Sequence, residues 1–407
     1  MKLLLITQYF WPESFSINEV AKTLVKRGVE LMVMTGKPNY PEGKLFPGYE
    51  PLRLDREDYQ GIRIRRVPII LRGIRNPVRL ALNYLSFIIS GTVLGPWVLR
   101  DFRPQAILVY CPSPLLQAIP ALLIGRLKKA PVTLYVQDIW PESLEATGYV
   151  RSRWIIGAVA WVVKLIYRHA DLILISSRPF EDSIRRLAPA ARIVYLPNSA
   201  DAALCNPDSG QKPQLPALDS GFSVVFAGNI GAAQAVNVIV DAAALLSAYP
   251  GIKLVVLGSG SEFGWMQQQV EERHLDNLHL PGRFPSHSMP YLLSRASALL
   301  VTLADRPVFS MTVPNKIQAY MAVGRPIIAC LNGEGARLVM EAGAGIAVRA
   351  EDPRGLAAAV LRLYRMSAAR REQLGLCGQQ YYRKHFEHEK LVTEMTTHLQ
   401  QAIRSKT

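Results

Sequence analysis

The residues best suited to chemistry in this 407-residue chain are glycines that follow apolar runs, together with one lysine. In FSVVFAGNIGAAQAVNVIV (residues 222–240) an apolar run breaks at Gly228. Gly228-Asn229-Ile230-Gly231 and Gln234 form a short loop, and Val236, Ile239, Val240 and Ala243 then recur at helical spacing. Strand, glycine loop and helix can aim bare backbone N–H groups and a helix dipole at a phosphate. An ordinary tight turn between strand and helix uses glycine in the same way. Gly258-Ser259-Gly260 repeats the device after residues 252–257, and Asn332-Gly333-Glu334-Gly335 repeats it again. Lys316 starts a helix just after Thr312, Val313 and Asn315, and Arg283 follows a further strand-like run. If these ends meet along one edge of a parallel sheet, N–H donors, dipoles and an ammonium assemble a diphosphate site.

The first half offers a different set. Asp138 ends the apolar run 132–136, within Gln137-Asp138-Ile139-Trp140-Pro141-Glu142-Ser143. An acid at the carboxyl end of a parallel strand is where α/β enzymes place working groups; it could also cap a turn. Residues 9–16 form a loop, and Ser16 with Glu19 reads as a capping box opening a helix. Asn18 and Glu19 would then face a cleft at the strand ends, or simply belong to a capped surface helix. Asn39 and Tyr40 sit in a Pro/Gly loop, residues 37–44, with lysine at both ends. Asp55-Arg56-Glu57-Asp58 has the look of a metal-binding acid cluster but reads as a solvated turn.

Positioning these groups requires two doubly wound α/β domains. Strands and helices alternate through residues 1–200, and again through 221–385. Residues 201–220 carry three prolines and little periodicity, which marks a linker, and 386–407 reads as a terminal amphipathic helix. Residues 80–99 contain no charge and are flanked by Arg72, Arg75 and Arg79 on one side and Arg100 on the other. Asn83, Ser86, Ser90, Gly91, Gly95 and Pro96 argue against a span of the bilayer. The expectation is a helix partly buried in its domain, with an apolar, arginine-fringed face on a membrane surface; a plain core helix is the alternative.

Bulk properties set outer limits. Hydrophobic content of 49% and charged content of 19% belong to a folded chain. Four scattered cysteines form no C-x-x-C pair, so neither a disulfide framework nor a zinc site is expected. Met1-Lys2 runs straight into LLLIT, without the pattern of a secretory leader. The first 200 residues hold 27 of the 47 basic and 15 of the 32 acidic residues, a net of +12 against +3 for the remainder. Such a half should meet something anionic. No zinc-finger, helix-turn-helix or RNP-like pattern accompanies the charge, which argues against nucleic acid.

These motifs together resemble glycosyltransferase family 4, across nearly the whole chain. Pro314-Asn315-Lys316-Ile317-Gln318-Ala319-Tyr320-Met321-Ala322-Val323-Gly324-Arg325-Pro326 resembles that family's P-S-K-x-x-E-Y-x-A-x-G-x-P helix. YFWPE, KPNYPEG, QDIWPES and GNIG-x-x-Q resemble the bacterial O-antigen and colanic-acid transferases, L-fucosamine transferases in particular. The resemblance implies a GT-B fold, two Rossmann-like domains facing across a cleft. It implies transfer of a sugar, with retention, from a nucleotide-diphosphate sugar to a lipid-linked sugar at the cytoplasmic membrane face, with no metal and no cofactor. Asp138 and Lys316 would be catalytic. Gly228, Asn229, Gly231, Gln234, Gly258, Gly260, Arg283, Thr312, Val313 and Asn315 would hold the donor, and Ser16, Asn18, Glu19, Asn39 and Tyr40 the acceptor. Two departures stand out: Met311 and Ala319 replace the family's acidic pair, and Asn229 and Gln234 replace its usual cations. A UDP-sugar 2-epimerase shares the two-domain pattern but needs acids and a histidine in the cleft, and the first half offers only His169. A non-catalytic nucleotide-sugar-binding protein is the other alternative, favoured by the missing acids.

Overall fold

The computed structural model describes residues 1–73, 76–147, 152–200, 202–206 and 212–406. The chain divides into two units, Met1–Pro197 with Glu389–Thr407, and Asn198–His388.

Unit one contains strands β1 (Lys2–Ile6), β2 (Glu30–Thr35), β3 (Asp55–Tyr59), β4 (Ile62–Arg66), β5 (Ala106–Cys111), β6 (Val132–Val136), β7 (Leu172–Ile175) and β8 (Ile193–Tyr195). Its helices are α1 (Ser16–Lys26), α2 (Pro77–Val98), α3 (Ile119–Lys128), α4 (Glu142–Thr147), α5 (Arg153–His169) and α6 (Phe180–Leu187). The strand order is β3-β4-β2-β1-β5-β6-β7-β8. Among the described residues, only the β3–β4 pair is antiparallel. The largely apolar runs explain the rest: β1 beyond Lys2, and β5 and β6 throughout, are buried, as a parallel sheet covered on both faces demands. The order of strands reverses between β1 and β5, and the crevice outside the carboxyl ends at such a reversal is where α/β sheets bind ligands.

Residues 55–58 are not a turn. They lie in edge strand β3, paired with β4. Asp55 takes an ion pair from the fully buried Lys37, and Glu57 accepts from Arg66 at 2.7 Å. Opposite charge on Asp55 and Glu57 is what lets so charged a segment close the sheet's edge.

Unit two contains β9 (Phe222–Asn229), β10 (Ile252–Ser259), β11 (Leu278–Gly282), β12 (Ala298–Thr302), β13 (Ile327–Cys330) and β14 (Gly345–Val348). Its helices are α7 (Asn237–Leu245), α8 (Phe263–Glu272), α9 (Met289–Ser294), α10 (Pro307–Ser310), α11 (Asn315–Val323), α12 (Glu334–Glu341), α13 (Pro353–Arg365) and α14 (Ala368–His385). The sheet is wholly parallel, in the order β11-β10-β9-β12-β13-β14, with its reversal between β9 and β12. Of the proline-rich stretch before it, Leu215, Ala217 and Leu218 join this unit's core, while Asp201 and residues 207–211 lie outside the described residues.

The last helix, α15 (His388–Lys406), packs back on unit one: Leu391, Val392, Met395 and Leu399 share a core with Ile17, Ala21 and Leu24 of α1 and with Leu3 and Leu5 of β1. Helix α2 is half in and half out. Phe87 and Asn83 are buried, and Gly91 and Gly95 allow close approach to α3, where an added Cβ would lie 3.1 Å from Pro120 or Ile124. Its other side is exposed.

Candidate active site

In unit two the site grows from the reversal between β9 and β12. Tyr320 of α11 is fully buried, and its hydroxyl accepts from the Ala227 N–H at 3.0 Å. That bond holds α11 against the end of β9. Lys316, one helical turn earlier, therefore lies over Gly228. Its Nζ sits 3.6 Å above the Phe226 ring and donates to Gln234 Oε1 at 3.0 Å. Gly228 has φ +135°, and a Cβ there would lie 2.7 Å from Lys316 Cε. Gly258, beside it on β10, has φ +148°, and its Cβ would meet Gly228 O at 1.9 Å. Both positions need glycine for backbone conformation and for space. Burial lowers the Lys316 ammonium to about 7; an anion bound here would restore its charge.

The phosphate cradle differs from the sequence expectation in three respects. β9 and β10 stay paired through Asn229 and Ser259, and the Ile230 N–H donates to Ser259 O at 2.9 Å. A 3-10 turn, Ala232–Gln234, and Ala235 in the left-handed region precede α7, so α7 does not start at the glycine loop. The Thr312 N–H is spent on Phe309 O at 3.2 Å. The helix that starts beside Gly228 is α11. Val313 is buried in the core. Asn315 accepts from Asn198 Nδ2 at 2.9 Å. Arg283 is exposed at the end of β11, at the sheet's edge. Gly231 follows Ile230 on the same loop, and Gly260 follows Ser259 of β10.

In unit one the loops after β1, β2, β5 and β6 each contain a cis X-Pro bond, at Pro12, Pro41, Pro114 and Pro141. Asp138 lies in the last of them. Burial pushes its carboxyl up to about 6, against hydrogen bonds from Ser143, Ser113, Trp140 and the Ile139 N–H. Trp140 Nε1 also donates to Ser113 Oγ at 3.2 Å, tying the loop after β6 to the loop after β5. Asp138 thus has its orientation fixed from two loops.

Glu13 is a residue the sequence reading passed over as part of a motif. It is 2% exposed, and its carboxylate accepts from the N–H groups of Phe10, Asn39 and Tyr40 at 3.2, 2.8 and 2.7 Å. Burial raises its pKa to about 7 against those three donors. Asn39 and Tyr40 are held at the site by this clamp. Asn18 donates to Glu13 O at 2.7 Å and braces it from behind. Ser16 is not the cap: Phe15 is, without a side-chain bond, and Ser16 Oγ instead shares a hydrogen bond of 2.9 Å with the Tyr110 hydroxyl. Glu19 pairs with Lys22 at 2.9 Å rather than closing a capping box. Tyr110 is buried, so the serine gains a core partner that no local spacing could announce. A buried chain, Gln117 Oε1 to Gln8 N–H at 2.8 Å and Gln8 Nε2 to Asn83 Oδ1 at 2.7 Å, links the ends of β1 and β5 to α2. Of the arginines expected to fringe α2, Arg79 is exposed, and Arg75 lies outside the described residues.

Among the described residues, no group of three or more His, Cys, Asp or Glu side chains is placed to hold a metal ion.

Known proteins agree with this layout. Residues 15–199 match the glycosyl transferase 4-like domain, and residues 221–366 match the glycosyl transferases group 1 model. A putative colanic acid biosynthesis glycosyl transferase of Escherichia coli K12, WcaI, is 24% identical over 341 residues, covering 80% of this chain and 82% of that protein. The chain is a family 4 glycosyltransferase. Among solved structures, sucrose-phosphate synthase from Thermosynechococcus elongatus superposes with a TM-score of 0.77, at 18% identity and 99% coverage of both chains. The E. coli trehalose-6-phosphate structure bound with UDP-2-fluoro glucose gives 0.74 at 13% identity, covering 98% of this chain and 99% of that one. Anabaena HepE in complex with UDP gives 0.70 at 14% identity, covering 98% and 100%. At these identities the likeness concerns the fold, which is GT-B. Met311 and Ala319, which stand where the resemblance places an acidic pair, are both part-buried.

Proposed function

We propose that this transferase moves a sugar of the N-acetyl-L-fucosamine type from a nucleotide-diphosphate sugar to a lipid-linked sugar acceptor, with retention of configuration, during synthesis of a surface polysaccharide. The observation that carries the reading is the Lys316 amine enclosed over Gly228 and Phe226 at the β9/β12 reversal. UDP and a UDP-sugar analogue in the neighbouring structures support a nucleotide-diphosphate donor, and the colanic-acid relative supports the polysaccharide setting. The chemistry is leaving-group stabilisation. Charge developing on the diphosphate is met by Lys316 and by the amino end of α11, with no metal needed. Asp138, ionised above about pH 6, supplies the negative charge that orients the reacting sugar in unit one.

Incubation with a panel of nucleotide sugars and a synthetic polyprenyl-diphosphate sugar tests this. Transfer to the lipid-linked sugar is the expected result. Epimerised nucleotide sugar without acceptor, or binding without turnover, would sink it.

The enzyme works at the cytoplasmic face of the membrane, docked on anionic lipid. Val78, Leu82, Leu85, Ile89, Val93 and Trp97 form one exposed stripe along α2, with Arg79 at its start and Arg100 just past its end. The Arg100 guanidinium lies 5.0 Å from the Trp97 ring. Trp154, 90% exposed, and Trp161 project from α5. Aromatic and aliphatic side chains beside arginine suit the headgroup boundary. Replacing Ile89 and Val93 together by glutamate weakens sedimentation with phosphatidylglycerol vesicles by about tenfold or more. Unchanged sedimentation by a folded double variant would remove this face from the membrane.

A further inference from the structure

Arg72 combines a fixed position with the absence of an acidic partner. Arg72 is partly buried, and among the described residues no carboxylate lies within ion-pair distance of its guanidinium. Its position is nevertheless built. Its N–H donates to Oδ1 of the fully buried Asn39 at 3.2 Å, and its guanidinium lies 4.9 Å from the Tyr40 ring centroid. Gly43, at φ +69°, brings the loop of residues 37–44 against Gly73: an added Cβ would sit 2.3 Å from Gly73 O. The same clamp of Glu13 that fixes Tyr40 therefore fixes the shelf under Arg72.

Around the shelf the surroundings are aromatic. Tyr9 stacks on Phe15 at 5.4 Å, and Tyr40 tilts against both at 5.7 and 5.2 Å. The charge of Arg72 reaches the phenols of Tyr9 and Tyr84, and Tyr84 also senses Asp138, so these groups share one neighbourhood. In the other direction the chain leads back to the half-exposed Ile70 and forward to the stripe of α2, whose Asn83 donates to Ile70 O at 2.5 Å.

We propose that Arg72, on the Tyr40 shelf, is the subsite for the diphosphate of a lipid-linked acceptor. Aromatic faces on one side take the apolar face of a sugar ring. The apolar stripe on the other side takes the lipid. A planar guanidinium between them binds the phosphate oxygens that join sugar to lipid. The assignment rests on the lipid-linked acceptor proposed above and adds the residue that distinguishes such an acceptor from a free sugar.

The test compares one sugar in two forms, attached to a polyprenyl diphosphate and attached to a simple alkyl chain with no phosphate. For the wild type, kcat/KM favours the diphosphate form. In Arg72→Gln that preference falls about tenfold or more, and Arg72→Lys retains part of it. Measuring in detergent and again with phosphatidylglycerol vesicles separates the two sources of phosphate. A loss seen with vesicles alone assigns Arg72 to lipid headgroups and overturns the subsite. A wild type with no preference overturns the lipid-linked reading itself. A preference that Arg72→Gln keeps, with its thermal unfolding unchanged, overturns the role of Arg72 alone.

Discussion

Lys316→Ala lowers kcat about 100- to 1000-fold, the scale seen when one preorganised donor to developing negative charge is removed. Residues 228–235 carry no charged side chain, so Lys316 has no charged substitute on the glycine loop. The alanine also leaves the space between Gly228 and Phe226 open to water, which weakens whatever field remains. A loss below about tenfold, roughly 1.4 kcal/mol, would remove Lys316 from the diphosphate. The lysine further predicts how donor binding varies with pH. Its pKa is lowered to about 7 in the empty site, so above that pH the amine is largely neutral before the donor arrives. The bound diphosphate favours the charged form, so binding takes up a proton and affinity falls as pH rises above about 7.

Asp138→Asn is the second large effect, a fall of about 100-fold or more in kcat/KM with little change in fold, since the amide keeps the shape inside its hydrogen-bonded loop. The wild-type carboxyl is raised to about 6 by burial, so activity that needs its ionised form is lost as pH falls through about 6. Lys316 must be protonated and is lost as pH rises through about 7. A bell-shaped profile of kcat/KM with its limbs near those values is expected, because that parameter reports the free enzyme. In Asp138→Asn the acid limb disappears. An acid limb that survives unchanged would assign it to another group.

Much of this was legible in the residues. Apolar runs bounded by glycine gave parallel strands, and strand alternation with helices gave two doubly wound units. Lys316 was legible as a cation opening a helix; the Tyr320 hydroxyl that holds this helix against β9 was not. What sequence spacing could not supply was tertiary. β3 carries three acids among five residues, and Lys37 and Arg66 reach Asp55 and Glu57 from other segments. Ser16 has the pattern of a cap, yet Tyr110, 94 residues away, claims its hydroxyl. Glu13 clamps a loop far along the chain, and no local pattern marks it. The helix that starts at the glycine loop is α11 rather than α7, because a 3-10 turn and a left-handed Ala235 delay the start of α7.

Calorimetric titration of UDP into the enzyme at about pH 8, in buffers of different ionisation heat, tests the central claim most directly. The account predicts saturable binding with uptake of close to one proton per UDP, and in Lys316→Ala a loss of both the uptake and most of the affinity. UDP that binds equally well to both proteins without proton uptake would contradict it, as would a failure of every nucleoside diphosphate to bind the wild type.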